Sequence, residues 1–235
     1  MVYATTLRLY TAVMGKRGPK PKGKVKIIWS SAFAYAIGLI VSDGNLSPSG
    51  RHISFMSKDL EMVKNYLEAL QIDVHIGNKS SGFQLEKKYY VVQFGDVLFY
   101  DFLKQIGLMP NKSKVIGKVD IPTEYFFDFL RGSFDGDGCT HSYFDPRWKS
   151  SFMFYTIFTS SSLEHITWLR AEISTHLSIK GHVTKSNKNT AFQLKYAKRE
   201  SILLLRAMYK NKRAPSLSRK RLKIDEMLRI IGERL

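Results

Sequence analysis

The sequence predicts an α+β protein built from two copies of one αββαββα unit. Three observations predict it. Helical and strand periodicities alternate along the chain in one order, and that order occurs twice. Segments align between the copies: SKDLEMVKNYLEAL with SSSLEHITWLRAEI, and VVQFG with QLKYA. Each copy opens with a helix that stops at Asp-Gly, at Asp43-Gly44 and again 94 positions later at Asp137-Gly138.

The elements follow from local signals. Residues 15–26, GKRGPKPKGKVK, combine proline, glycine and lysine, which forbids helix and strand alike. They read as an extended basic arm, either a solubilising linker or a segment whose Arg17 and lysines track a polyanion. From Ser30 or Ser31 as N-cap, SSAFAYAIGLIVSDG is helical and stops at Gly44. NLSPSG is a turn and RHISFMS a strand. KDLEMVKNYLEAL is a helix with Leu60, Val63, Leu67 and Leu70 on one face. VHIGNKSS and YYVVQFG form a strand pair, and DVLFYDFLKQIGL is a helix. The second copy repeats this with EYFFDFLRGSFDGDG, the hairpin HSYFDPRWKSS/FMFYTIFTS, and the helix SSLEHITWLRAEISTHL. The hairpin GHVTKSNKN/AFQLKYAK and the helix ESILLLRAMY complete it. The predicted division is 1–29 arm, 30–115 first repeat, 116–122 linker, 123–225 second repeat and 226–235 tail.

The chain has 235 residues, 44% of them hydrophobic and 24% charged, enough apolar material to pack two units. A single cysteine, Cys139, excludes an intramolecular disulfide and a cysteine-based zinc site. The six histidines lack metal-ligand spacing, and no P-loop or GxSxG element occurs. The longest apolar run, around Ala32–Val41, is well short of the roughly 20 residues that span a bilayer. Lys+Arg number 37 against 20 Asp+Glu, a net charge of +17. That surplus points to a polyanionic partner. It is concentrated at the ends: residues 1–42 carry seven basic residues and no acid, and residues 195–223 carry 11 basic and one acidic.

The Asp-Gly helices carry the chemistry. Gly38 and Ser42 are four apart, as are Gly132 and Gly136. Small residues at that spacing let two helices approach with their backbones nearly touching. The two helices then run side by side at a pseudo-twofold axis, and Asp43 and Asp137 meet at their C-terminal ends. Two carboxylates at the negative ends of two helix dipoles need a cation, and oxygen ligands suit Mg²⁺. Metal ions shared by such carboxylates cleave phosphodiesters.

AIGLIVSDG (36–44) and LRGSFDGDG (130–138) resemble the paired motifs of LAGLIDADG homing endonucleases in their monomeric two-repeat form. The first motif departs from the pattern with Val41 and Ser42; Asp43 is untouched. The resemblance implies a saddle of two antiparallel four-stranded sheets lying in the DNA major groove, with the motif helices packed at the central interface. It implies site-specific hydrolysis of both strands of a long asymmetric double-stranded DNA target. Two or three Mg²⁺ ions, with Mn²⁺ as a substitute, would be shared by Asp43 and Asp137 with the Gly44 and Gly138 carbonyls. Asp135 is read as a helix-end or packing residue. The resemblance also implies a Lys or Gln at the end of each repeat's last strand to order water. The repeat alignment places Gln93 and Lys195 there, with Lys198 as the competing choice.

Base readout is expected from the hairpins. The candidates are Asn45, Ser47, Ser49, Arg51, Lys79 and Lys88 in the first repeat. In the second they are Thr140, Ser142, Arg147, Lys149, Lys185, Asn187 and Lys188. A one-residue register error would swap the faces. The basic stretch 210–223 would clamp phosphates. The alternative function is a non-cleaving nucleic-acid binder on the same fold, an intron RNA maturase or a DNA-binding regulator. The expected state is an intracellular monomer, in the cytoplasm or an organellar matrix.

Overall fold

The computed structural model describes residues 23–81, 84–148, 150–185 and 191–235, with the backbone alone at 81 and 84–88. The arm through residue 22 with its Arg17, and the candidate DNA contacts Lys149, Asn187 and Lys188, lie outside the described residues, as does the Lys88 side chain.

The first repeat runs α1 (Ser31–Asp43), β1 (Gly44–Leu46), β2 (His52–Ser57), α2 (Leu60–Leu70), β3 (Gly77–Ser81), β4 (Gln84–Gly95) and α3 (Val97–Gln105). The second runs α4 (Phe126–Asp137), β5 (Cys139–Phe144), β6 (Phe152–Ser160), α5 (Leu163–Leu177), β7 (His182–Lys185), β8 (Phe192–Ala197) and α6 (Lys198–Met208). Each repeat forms an antiparallel four-stranded sheet, in the orders β1-β2-β4-β3 and β5-β6-β8-β7. The duplicated order read from the sequence is therefore a duplicated topology.

Local chemistry sets the element ends. The Ser30 hydroxyl accepts the Phe33 N–H at 3.1 Å and starts α1. Asp96 accepts the Phe99 N–H at 2.9 Å to start α3, and its other oxygen takes the N–H groups of Lys24 and Val25. One buried carboxylate thus caps a helix and fastens the segment that leads into α1.

The core lies between the sheets' inner faces and the helices. Leu46, Ile53, Phe55, Val92 and Phe94 are buried on one sheet, and Phe152, Phe154, Phe158, Leu194 and Tyr196 on the other. At the centre α1 packs on α4. A Cβ on Gly38 would strike the Phe129 carbonyl and lie 2.6 Å from the Ser133 nitrogen. One on Gly132 would strike the Tyr35 carbonyl, and one on Gly136 the Ser42 side chain. The predicted small-residue stripe is the contact.

One helix was not anticipated. Ser218–Ile230 is α7, where the sequence reading placed a basic stretch running into a tail. Its apolar stripe is short, with Ile224, Met227 and Leu228 buried among seven charged residues, so periodicity alone does not announce it.

Candidate active site and nucleic-acid interface

Asp43 and Asp137 are the last residues of α1 and α4. The helix packing brings these ends together at the centre of the molecule. Gly44 and Gly138 then turn the chain straight into β1 and β5. A Cβ on Gly44 would sit 2.7 Å from the Ile40 backbone, and one on Gly138 2.8 Å from that of Phe134, so no larger residue fits either turn.

The electrostatics are strained and then relieved. Burial pushes the Asp43 carboxyl up to about 6, and the charge of Asp137 adds to it. Burial raises Asp137 as well. Lys112 and Lys220 pull both down. Lys112 sits in a short 3-10 turn after α3, is buried, and donates its ammonium to the Gly44 carbonyl. Lys220, on α7, donates to the carbonyls of Phe134 (2.6 Å), Asp135 (2.7 Å), Gly136 (3.3 Å) and Gly138 (2.6 Å). An ammonium therefore sits on the negative end of each motif helix, the cation that the helix dipoles call for. Burial pushes each lysine down to about 8, against the upward pull of the carboxylates.

Asp135 explains how Lys220 gets there. It is fully buried, accepts the Tyr35 hydroxyl at 2.9 Å, and accepts the Leu217 N–H at 2.7 Å. The carboxylate thus pins the start of α7, and Lys220 follows three residues on. Arg131, 0% exposed, holds the same region by donating to the Met208 carbonyl at 2.8 Å and to Asp128 at 2.6 Å.

The open faces of the sheets extend from these helix ends. In the first, Gln93, Ser54 and Asn45 form one cross-strand row. In the second, Lys195, Ile157 and Cys139 form the matching row. Lys79 is exposed on the first open face, opposite Tyr89. Ser47, Ser49 and Arg51 sit at the β1–β2 turn.

Against known proteins, no family model matches the sequence, and no curated protein matches it either. Solved structures do match. The homing endonuclease I-WcaI, bound to its DNA recognition sequence, superposes with a TM-score of 0.59 at 12% identity, over 83% of this chain and 86% of that one. The I-LtrWI LAGLIDADG homing endonuclease, bound to target DNA, gives 0.55 at 12% identity, over 86% and 90%. Full-length DUF199/WhiA from Thermatoga maritima gives 0.54 at 16% identity, over 88% of this chain; the chain spans 62% of that protein's length. The chain has the LAGLIDADG fold. Two such repeats make the saddle, with Asp43 and Asp137 at its centre.

The structure corrects several site assignments. Thr140 is 8% exposed and pairs with buried Thr156; Ser142 pairs with buried Phe154. Both face the core side of the sheet, and the open face of β5 belongs to Cys139, His141 and Tyr143. The sequence register is off by one because β5 begins directly after Gly138, with no turn residue between. Lys185 pairs with Phe192 on the same core side, and its ammonium lies 5.8 Å over that ring. Arg147 stays an exposed candidate, its guanidinium paired with Asp145 at 3.2 Å. Lys198 turns away to donate to the Phe152 carbonyl at 3.1 Å.

Two site residues escaped sequence reading. Among the described residues, neither Gln93 nor Lys195 hydrogen-bonds to Asp43 or Asp137; the groups at the helix ends are Lys112 and Lys220. A lysine-bearing segment does follow each repeat's last helix, NKSK at 111–114 in the first and both KNKR at 210–213 and SRKRLK at 218–223 in the second, but nothing local singles out Lys112 or Lys220 among those lysines.

The site fits divalent ions. Two paired carboxylates sit where helix dipoles disfavour negative charge, which lifts their affinity for protons and for cations alike. Among the described residues no group of three or more His, Cys, Asp or Glu side chains assembles. Ligands beyond Asp43 and Asp137 would be oxygens of backbone, water or phosphate, the set Mg²⁺ prefers. The Gly44 and Gly138 carbonyls each take a lysine ammonium and retain a second lone pair. No helix among the described residues is long and apolar enough to cross a membrane.

Proposed function

We propose that this protein is a site-specific double-strand DNA endonuclease that uses divalent metal ions, Mg²⁺ or Mn²⁺. One observation carries the reading: two carboxylates share one end of a packed helix pair, each helix end bears a lysine ammonium on its carbonyls, and a sheet's open face leads away on either side. The organisation is two repeats, 30–115 and 123–225, joined by 116–122. α7 extends the second repeat beyond that limit.

Asp43 and Asp137 would hold the ions, which would activate water and stabilise the leaving oxygen of each strand when bound. The protein's own groups do the rest. Asp43 is half-buried and Asp137 exposed, so the carboxylates are open to solvent and to a bound duplex. Lys112 and Lys220 sit close enough to both carboxylates to offset their charge, and would add positive potential beside the scissile phosphates. Gln93 and Lys195, on equivalent rows of the two sheets, would order solvent or contact DNA beside the site. Asn45, Ser47, Ser49, Arg51 and Lys79 would meet base edges or phosphates. One chain contains both halves of the pseudo-twofold, so it would act as a monomer, in cytoplasm or an organellar matrix where its target lies.

The test is cleavage of a randomised duplex library in Mg²⁺, with Ca²⁺ in parallel. Cutting at one long site in Mg²⁺, abolished by Asp43→Asn or by Asp137→Asn with binding retained, is the expected result. Retention of duplex without cutting in either metal would transfer the assignment to a non-cleaving DNA binder. Unchanged cutting by either variant would remove the carboxylates from the mechanism.

A further inference from the structure

The two repeats differ in chemistry at one matched place on their open faces. In the first repeat, Ser47 and His52 face each other across the β1–β2 turn, the Ser47 N–H donating to the His52 carbonyl at 2.9 Å. The Ser47 and Ser49 hydroxyls are 2.9 Å apart, and Ser49 Oγ lies 3.2 Å from His52 Nδ1. In the second repeat, His141 and Tyr143 stand 94 positions after the two serines, and Tyr155 faces His141 across the strand pair. Three linked polar groups are replaced by three linked rings.

The rings form one surface. His141 and Tyr143 have centroids 5.6 Å apart, and Tyr143 stacks on Tyr155 at 6.4 Å and 15°. Met153 pairs with Tyr143 on the same face. Tyr143 is 38% exposed, and the longer β5–β6 hairpin carries Phe144 (55%) and Trp148 (68%) beyond it. The rings brace one another, so covering them costs little side-chain entropy. Arg147 near the tip is already held by Asp145.

Serine hydroxyls, and an imidazole through its ring nitrogens as at His52, exchange hydrogen bonds with base edges. Ring faces and a thioether instead present apolar surface, and the apolar group that a duplex displays in its major groove is the C5-methyl of a pyrimidine, thymine above all. We propose that the two sheets read their half-sites by different chemistry. The first uses hydrogen bonds from Ser47, Ser49 and His52. The second packs pyrimidine C5-methyl groups on the His141–Tyr143–Tyr155 cluster. The inference rests on the DNA-binding reading above and adds the base chemistry of each half.

The experiment selects duplexes from a randomised library in Ca²⁺, then replaces thymine by uracil in one half-site at a time. One selected half-site should be thymine-rich at its outer positions. Uracil there should weaken binding about fourfold per thymine, the loss of one buried methyl. In a variant site with cytosine at such a position, 5-methylcytosine should bind more tightly than cytosine by a similar factor. Uracil in the other half should change affinity less than about twofold. Tyr143→Ser, and independently His141→Ser, should remove the uracil penalty, whereas Ser49→Ala should keep it. Equal uracil sensitivity in both halves, none in either, or a penalty that survives both ring substitutions would overturn the proposal while leaving DNA binding intact. Failure to retain any duplex would overturn the endonuclease reading and this inference with it.

Discussion

Removing the Asp43 charge should make the metal-free protein more stable while destroying its proposed activity. Burial and Asp137 raise the Asp43 carboxyl from 3.8 to about 6. A carboxyl whose folded value lies above its unfolded value contributes stability that is complete below about pH 4 and lost as pH rises through about 6. A shift of about two units corresponds to roughly 3 kcal/mol at neutral pH. The lysines' attraction is already contained in that net value. Asp43→Asn keeps the shape and removes the charge. In chelator at neutral pH it should gain about 2–3 kcal/mol, a rise of roughly 5–10 °C in Tm for a chain of this size. At about pH 4 variant and parent should coincide. Thermal or urea unfolding of both proteins at the two pH values measures the difference. Mg²⁺ should then stabilise the parent more than the variant, because the ions need the carboxylate. A variant no more stable than its parent at neutral pH would show that Lys112 and Lys220 already satisfy Asp43, and the case for a strained, cation-seeking pair would fail.

Lys220→Met strips the ammonium from four helix-end carbonyls and should cost about 2–4 kcal/mol in denaturant unfolding as well as cleavage. Lys112→Met and Lys220→Met should affect the two strands unequally, so a supercoiled plasmid carrying the site should accumulate as nicked circles; equal slowing of both cuts would argue against one lysine per strand. Gly132→Ala drives a Cβ onto the Tyr35 carbonyl and should cost about 3 kcal/mol, whereas Gly77→Ala, whose nearest neighbour is 3.7 Å away, has no such clash. A Gly132→Ala protein of parental Tm would mean that α1 and α4 separate easily. Exposed Cys139 lies on the second open face two residues from Asp137, so bound duplex should slow its alkylation by a maleimide; an unchanged rate would place DNA elsewhere.

The parts of the site written in local sequence were legible. Asp43 and Asp137 could be found because each sits in a Gly-flanked nonapeptide, and the nonapeptides recur with matching elements behind them. Gly38, Gly132 and Gly136 could be read as an interface because only a backbone-to-backbone approach makes use of a missing Cβ. The open-face assignments fared unevenly for a physical reason. A strand's period is two, so where β5 starts decides which side every residue takes, and Thr140 and Ser142 went to the core when the strand began at once after Gly138. Lys112 and Lys220 lie 69 and 83 residues from the carboxylates they serve. No local pattern couples them, and their roles emerge only when the chain after each repeat's last helix folds back.

By itself, then, the sequence determined the duplicated α+β order, the close helix pair and the two acids at its end, since periodicity, glycine spacing and repetition are local properties. Tertiary structure alone decided which lysines neutralise those acids, that the packing residue Asp135 anchors α7, and that the two open faces carry different chemistry. Each of these depends on distant segments meeting in three dimensions, where burial and charge, not sequence neighbourhood, set the energies.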